Sequence, residues 1–143
     1  MDIRACLNRC YQNMTICDLR LMNEDAEEKL SHHSVMFLEL ISCQESCTVS
    51  SLSELLHISK PAVTKKVNEL IRRGLVVKTQ SEEDRRVFYL RVSDPVEAVN
   101  ARYDRPFARA ARTLEEEFTP EELATFCQIL DRFSTEFMKE ELP

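Results

Sequence analysis

The chain has 143 residues but only one glycine, no tryptophan, and no run of about 18 apolar residues. A single glycine excludes the glycine-rich loops that cradle phosphates and the nucleophile elbow of hydrolases, since both need several residues without a side chain at fixed spacing. Paired carboxylates fall only within acidic surface runs, so no catalytic framework is present and no enzymatic activity is expected. The absence of a long apolar run removes any membrane span, and Asp2, Arg4 and Arg9 interrupt any signal-peptide core. A soluble, cytoplasmic protein with no membrane partner is expected. Such a length suits one domain, large enough to bury a core without disulfide or metal staples.

What the chain does have is a stretch organised unlike the rest. From Ser50 to Ser93 it reads SSLSELLHISKPAVTKKVNELIRRGLVVKTQSEEDRRVFYLRVS. Leu52, Leu55, Leu56 and Ile58 give a short apolar helix face, with Ser50 or Ser51 as N-cap and Ser51 and Glu54 spaced as a capping box. In a second helix, Ser59 is placed to accept a bond from an unpaired first-turn amide, and Pro61 sits where its missing N–H costs nothing. Val63, Val67, Leu70 and Ile71 then form one buried stripe, and Lys60, Thr64, Lys65 and Asn68 lie on the other face. Gly74 follows Arg72 and Arg73, where a left-handed residue closes a helix and cations meet its negative end. Two helices joined at His57-Ile58-Ser59 cross steeply, as a helix-turn-helix does when its second helix enters a DNA major groove. Histidine tolerates a positive φ, so His57 reads as a turn residue. Leu75 to Thr79 and Val87 to Val92 are β-branched or aromatic runs around an entirely polar tip, a strand pair with a charged end. Cys47 to Val49 is a further short strand candidate beside it.

The net charge of −6 argues against a nucleic-acid partner until its distribution is counted. Between Ser50 and Ser93 there are nine basic residues against five acidic, a net +4; of the 19 basic and 25 acidic residues in the chain, ten and twenty lie elsewhere. A positive face sits on an acidic body.

The segment SKPAVTKKVNELIRRGLV, followed by SEEDRR and an apolar strand, resembles the winged helix of the multiple antibiotic resistance regulator (MarR) family. The resemblance implies a mainly α fold with a small β-wing, a winged helix-turn-helix over about residues 31–93 flanked by dimerisation helices over about 2–22 and 94–141, in one domain. It implies a homodimeric repressor of a palindromic double-stranded DNA operator, relieved by a small apolar or aromatic ligand. Base edges would be read from Lys60, Ala62, Thr64 and Lys65. The wing pattern Asp-x-Arg falls on Asp84 and Arg86, the arginine reaching a minor groove and the aspartate bracing the loop, with Arg85 as a second candidate. Ser59, Lys66 and Asn68 complete the expected DNA-binding set. An interaction module without DNA binding is the alternative from another class, and the basic Lys60, Lys65 and Lys66 disfavour it. The family usually has glycine where His57 stands.

Outside this stretch the chain carries apolar stripes. Ile3, Leu7, Cys10, Met14, Cys17 and Leu21 make a heptad seam, and Val35 to Ile41 forms a strongly apolar helix. Asn23 to Lys29 reads as an acidic loop. After Ser93 as N-cap, Val96, Val99, Tyr103, Phe107, Ala110 and Leu114 share a helical face, with a kink or break expected between Arg102 and Pro106. Thr119-Pro120-Glu121-Glu122 opens a last helix whose seam is Leu123, Phe126, Leu130, Phe133 and Phe137. A compact winged helix has no room for these stripes, so a second copy is the expected cover. A ligand pocket would be walled by Met14, Phe37, Ile41 and Phe107.

Six cysteines, Cys6, Cys10, Cys17, Cys43, Cys47 and Cys127, include no Cys-x-x-Cys pair, and cytosolic thiols stay reduced, so no disulfide framework is expected. Cys6 and Cys10 beside Tyr11 resemble the thiol placement of peroxide-sensing relatives, whose further tyrosines are replaced here by Ser31, His32 and His33. Packing is preferred, because Cys10 and Cys17 lie on the seam and free cysteine behaves as a small hydrophobe. His32 and His33 with Glu27, Glu28 and Cys43 or Cys47 have ligand chemistry but match no closed metal site. No metal and no cofactor are expected. On the packing reading, a Cys6→Ser/Cys10→Ser variant treated with mild peroxide keeps the operator-binding response of the parent; a release seen in the parent and lost in the variant makes these thiols the switch.

Overall fold

The computed structural model describes residues 1–24 and 30–139. Residues 25–29 of the expected acidic loop, with Glu27 and Glu28, lie outside them. Among the described residues the chain forms six helices and one two-stranded sheet: α1 (Ile3–Glu24), α2 (His32–Ser42), α3 (Val49–Leu56), α4 (Lys60–Arg72), β1 (Val76–Gln80), β2 (Phe88–Val92), α5 (Asp94–Glu117) and α6 (Pro120–Phe137). They group into two compact units, Met1–Tyr103 and Asp104–Pro143, divided within α5.

In the first unit the core is a cluster of aliphatic side chains from α2, α3, α4 and the strands. Phe37, Leu38 and Ile41 of α2, Leu52 of α3, Val63, Val67 and Leu70 of α4, and Val76, Leu90 and Val92 of the sheet are all buried. Each such burial is worth roughly 1.5–3 kcal/mol against exposure. Local chemistry sets the helix ends. Ser31 caps α2 by accepting the Ser34 N–H at 3.2 Å. The start of α3 differs from expectation: Thr48, not Ser50 or Ser51, is the N-cap. Its hydroxyl accepts from the Ser51 N–H at 3.0 Å while Ser51 Oγ accepts from the Thr48 N–H at 2.9 Å. Serine in the third helical position does the work expected of Glu54, so the box closes earlier in the chain. Thr48 and Val49 therefore belong to the helix start and not to a strand; the Leu90 N–H, donating to the Cys47 carbonyl at 2.8 Å, ties this segment to β2.

The turn between α3 and α4 is built as the sequence implies. His57 adopts φ 53°, ψ 37°, the left-handed region, and Ser53 holds the turn from both sides: its carbonyl accepts from the Ile58 N–H at 3.3 Å and its hydroxyl donates to the Ile58 carbonyl. Ser59 and Pro61 open α4. At its far end Gly74, at φ 72°, lets the Gly74 N–H reach the Ile71 carbonyl and the Leu75 N–H reach the Leu70 carbonyl, both at 2.9 Å. Those two bonds satisfy carbonyls that a helix end otherwise leaves open. The chain turns directly into β1, which pairs antiparallel with β2, Val76 opposite Val92 through Gln80 opposite Phe88.

Ser93 stands just before α5, and its carbonyl accepts the Glu97 N–H at 2.9 Å, but its hydroxyl is buried with no partner and does not cap the helix. Of the kink or break expected between Arg102 and Pro106, the break does not occur, since α5 is continuous through Pro106. Pro106 removes one hydrogen bond, and a helix of 24 residues has enough turns on each side to tolerate that.

The second unit holds the later part of α5 and α6. Thr119 and Glu122 form the expected capping box, the Glu122 carboxylate accepting the Thr119 N–H at 2.9 Å. No described residue of α6 is buried, and Phe126, Ile129, Leu130, Phe133 and Phe137 stay exposed. In the first unit α1 likewise buries no described residue, with Ile3, Tyr11, Met14, Ile16 and Leu19 exposed. No described helix is long and apolar enough to cross a membrane.

The two left-handed positions give a stability test. Gly74→Ala costs about 1–2 kcal/mol, all of it backbone strain, because nothing lies within 4 Å of the added Cβ. His57→Val carries a similar or larger penalty and His57→Gly none. Urea midpoints at unchanged m value check all three.

Candidate nucleic-acid interface

At 3.6 residues per turn the side chains of α4 sort into sides. Val63, Val67 and Leu70 point into the core. Opposite them Pro61, Lys65 and Arg72 form an exposed crest. Thr64 and Asn68 occupy the flank toward the wing, where they line a cleft shared with Lys78, Arg86 and Phe88. Ala62, Lys66 and Glu69 occupy the other flank. Ser59 and Lys60 are exposed at the N-terminal end. A helix mounted in this way presents one end and one long edge to a partner.

Lys66 departs from its expected role. Its ammonium turns inward, donating to Ser34 Oγ of α2 at 2.7 Å and to both oxygens of Glu69 at 3.2 Å, with only 14% of the side chain exposed. The four-carbon stem lies along the helix flank and carries the charge to the buried Ser34 hydroxyl, so Lys66 joins α2 to α4 and is withdrawn from the exposed basic set. Lys60 and Lys65 have no carboxylate partner among the described residues.

The wing tip is held by its own side chains. Ser81 Oγ accepts the Glu83 and Asp84 N–H groups at 3.3 Å, and Gln80 donates to the Arg85 carbonyl. Asp84 Oδ1 accepts the Arg86 N–H at 3.0 Å and Arg86 Nε at 3.2 Å. These two contacts, the backbone one first, hold the Asp84 carboxyl below its ordinary range. Asp84 thus shapes the loop and aims Arg86, whose side chain remains 91% exposed. Arg85 is exposed beside it. A cationic helix crest and a wing tip of mixed charge, where Arg85 and Arg86 follow Glu82, Glu83 and Asp84, are separated by a cleft.

Lys78 is a cleft residue absent from the expected set. Its ammonium stands 4.3 Å from the centroid of the Phe88 ring. The signal that could have found it is a charged residue in the inward-facing row of β1, in line with Val76. Other expected features resolve differently. Phe37 and Ile41 are closed into the core at 3% and 1% exposure and cannot wall an open ligand pocket, whereas Met14 and Phe107 are exposed. Cys47 is fully buried and burial pushes its thiol pKa up, which makes it unreactive. Cys6 and Cys10 are exposed on α1, Cys10 Sγ lying 3.9 Å from Met14 Sδ. His32 and His33 are exposed at the start of α2, the His33 ring tilted against Phe37.

Comparison with known proteins places this geometry among relatives. The family model described as MarR family matches residues 30–88, which contain α2, α3, α4, β1 and the start of β2. The transcriptional regulator AdcR of Streptococcus pneumoniae is 27% identical over 143 residues, covering 97% of this chain and 94% of that protein. AdcR of Streptococcus pyogenes is 27% identical over 118 residues, covering 80% and 77%. The crystal structure of Streptococcus pneumoniae FabT in complex with DNA superposes with a TM-score of 0.66 at 20% identity, covering 95% of each chain. The transcriptional regulator Tm0710 of Thermotoga maritima superposes at 0.60 with 17% identity over 96% of this chain and 98% of its own. These structures share the fold.

The inward turn of Lys66 has a measurable consequence. Lys66→Met lowers stability by about 1.5–3 kcal/mol, the range for a hydrogen bond to a charged group, while Lys65→Ala leaves it unchanged. Thermal melts separate the two; a Lys66→Met protein of wild-type stability contradicts the contact.

Proposed function

We infer, from a winged helix that matches the MarR family model over residues 30–88, that this chain is a sequence-specific DNA-binding transcription regulator of that family, acting as a repressor. The observation that carries the reading is the mounting of α4: a core-locked helix with an exposed edge where Lys60 and Lys65 stand without carboxylate partners, beside a braced wing tip carrying Arg85 and Arg86. Base edges are read from Lys60, Ala62 and Lys65, with Ser59 close to the backbone at the helix start. Arg86 enters the neighbouring minor groove. Two relatives are transcriptional regulators and the FabT neighbour is a complex with DNA, which supports the assignment. The protein works in the cytoplasm and catalyses no reaction.

The working form is a homodimer on a palindromic operator. Supporting it, α1 and α6 bury no described residue, α1 exposing Ile16 and Leu19 and α6 exposing Phe126, Ile129 and Phe137, each a face too apolar to leave in water. A second copy covers them and spaces two recognition helices along one face of the duplex. Release follows a small apolar or aromatic ligand that prefers the DNA-incompetent form; a hundredfold preference, about 2.7 kcal/mol, shifts a modestly populated switch. A thiol switch is the second reading, favoured by the exposure of Cys6 and Cys10 on α1.

Fluorescence anisotropy with DNA flanking its own gene, at several salt concentrations, tests the reading. Wild type binds one fragment well above random sequence. Lys65→Ala loses roughly 1–3 kcal/mol and relaxes specificity. Arg86→Ala weakens all sequences more evenly, with extra loss where an A·T-rich minor groove is narrow. If no fragment binds better than random DNA even at low salt, the regulator reading fails.

A further inference from the structure

In the inward row of β1 the apolar residues stop after Val76, and Lys78 and then Gln80 follow it in line. In antiparallel pairs opposite residues share a face, so Lys78, opposite Leu90, belongs to the inward row that holds Val76 and Val92. Those three apolar partners are each 3% exposed. A lysine in that row contradicts the pattern of its own strand, and such local contradictions mark functional positions. Lys78 emerges where the core ends, at a cleft of about 370 Å³ between α4 and the wing, with Thr64, Asn68, Arg86 and Ser50 on the surrounding walls. Phe88 supports its ammonium from below at 4.3 Å. Among the described residues no carboxylate neutralises it.

Duplex geometry says what must enter that cleft. Once α4 occupies a major groove and the wing tip the adjacent minor groove, the strand that separates the two grooves has to pass between them. Its phosphates then face a lysine, an arginine, a hydroxyl and an amide, all able to donate. We propose that the α4–wing cleft is the seat of the intervening DNA backbone, gripped by Lys78 over Phe88, and that Thr64 and Asn68 bind this strand and do not read bases. The proposal rests on the DNA-binding reading above. Ring and ammonium act together: Phe88 holds the charge at the mouth of the cleft, where a freely rotating lysine would lose conformational entropy on binding.

The test compares wild type, Lys78→Met, Lys78→Arg and Thr64→Val on the operator fragment and on an unrelated duplex. Lys78→Met weakens both DNAs by the same factor and lowers the slope of log K against log salt by about 0.9 for each Lys78 engaged. Lys78→Arg keeps the slope, and all variants keep the wild-type melting temperature because the side chain is exposed. Thr64→Val also weakens both DNAs equally. Replacing operator phosphates one at a time by neutral methylphosphonates identifies a position on the intervening strand that weakens wild type and leaves Lys78→Met unchanged. A Lys78→Met protein with wild-type slope and affinity overturns the grip, and a Thr64→Val loss confined to the operator returns Thr64 to the base-reading set. Wild type failing on every duplex is a different result, which overturns the regulator reading together with this one.

Discussion

The roll of α4 about its own axis decides which side chains it presents to a partner, and Val63, Val67 and Leu70 fix that roll. All three are essentially without solvent exposure, and they pack with Leu52 of α3, Ile41 of α2 and Leu90 of β2 in one cluster. A rotation by one residue would drive Thr64 or Lys66 into this cluster and pull a valine out, at several kcal/mol in lost burial and buried polar groups. Lys66 adds a polar lock on one flank through Ser34. The turn at His57 and the closure at Gly74 fix where the helix begins and ends. Position, length and roll of the helix are thus set by contacts that never touch a partner, which leaves the crest free to vary with the sequence to be read.

Much of this was legible from the residues because each signal was local and doubled. Ser59 before Pro61 and Gly74 after two arginines mark both ends of α4, and the apolar spacing between them marks its buried side. What resisted was of several kinds. Where several residues of equal capping chemistry crowd together, as Thr48, Ser50 and Ser51 do, spacing cannot choose among them; tertiary placement of Cys47 against β2 selects Thr48. Where a long side chain sits on a flank, its direction is decided by a partner distant in sequence. Lys66 finds Ser34 across 32 residues, and no helical periodicity reports that. Lys78 carries its signal in the row it shares with Val76, opposite Leu90, which the count of charges along the segment does not report. Pro106 gives a strong local signal for a break that the length of α5 absorbs.

Charge placement complements the packing. The overall −6 keeps the acidic body from holding nucleic acid indiscriminately, while the +4 of the Ser50–Ser93 segment is concentrated where phosphates would lie. Three of its nine basic residues are already committed, Lys66 to Glu69, Arg86 to Asp84 and Arg91 to Asp94. The first of these is internal. The other two are exposed pairs worth little in stability, so Arg86 can exchange its carboxylate for phosphate at small cost while the Asp84 bond to the Arg86 backbone keeps the loop in shape.

The junction at Ser93 determines how an event on the terminal helices would be felt at the interface. The Ser93 N–H donates to the Leu75 carbonyl at 2.9 Å and its carbonyl accepts from Glu97 at 2.9 Å. Val96 enters the core one turn later at 8% exposure. The end of β2, the turn after Gly74 and the first turn of α5 are therefore one hydrogen-bonded unit. Displacing the start of α5 alone would break those bonds and withdraw Val96, whereas moving the winged helix as a body breaks none of them. A push on the first turn of α5 is therefore passed to the winged helix as a body more cheaply than it changes the roll of α4 within it.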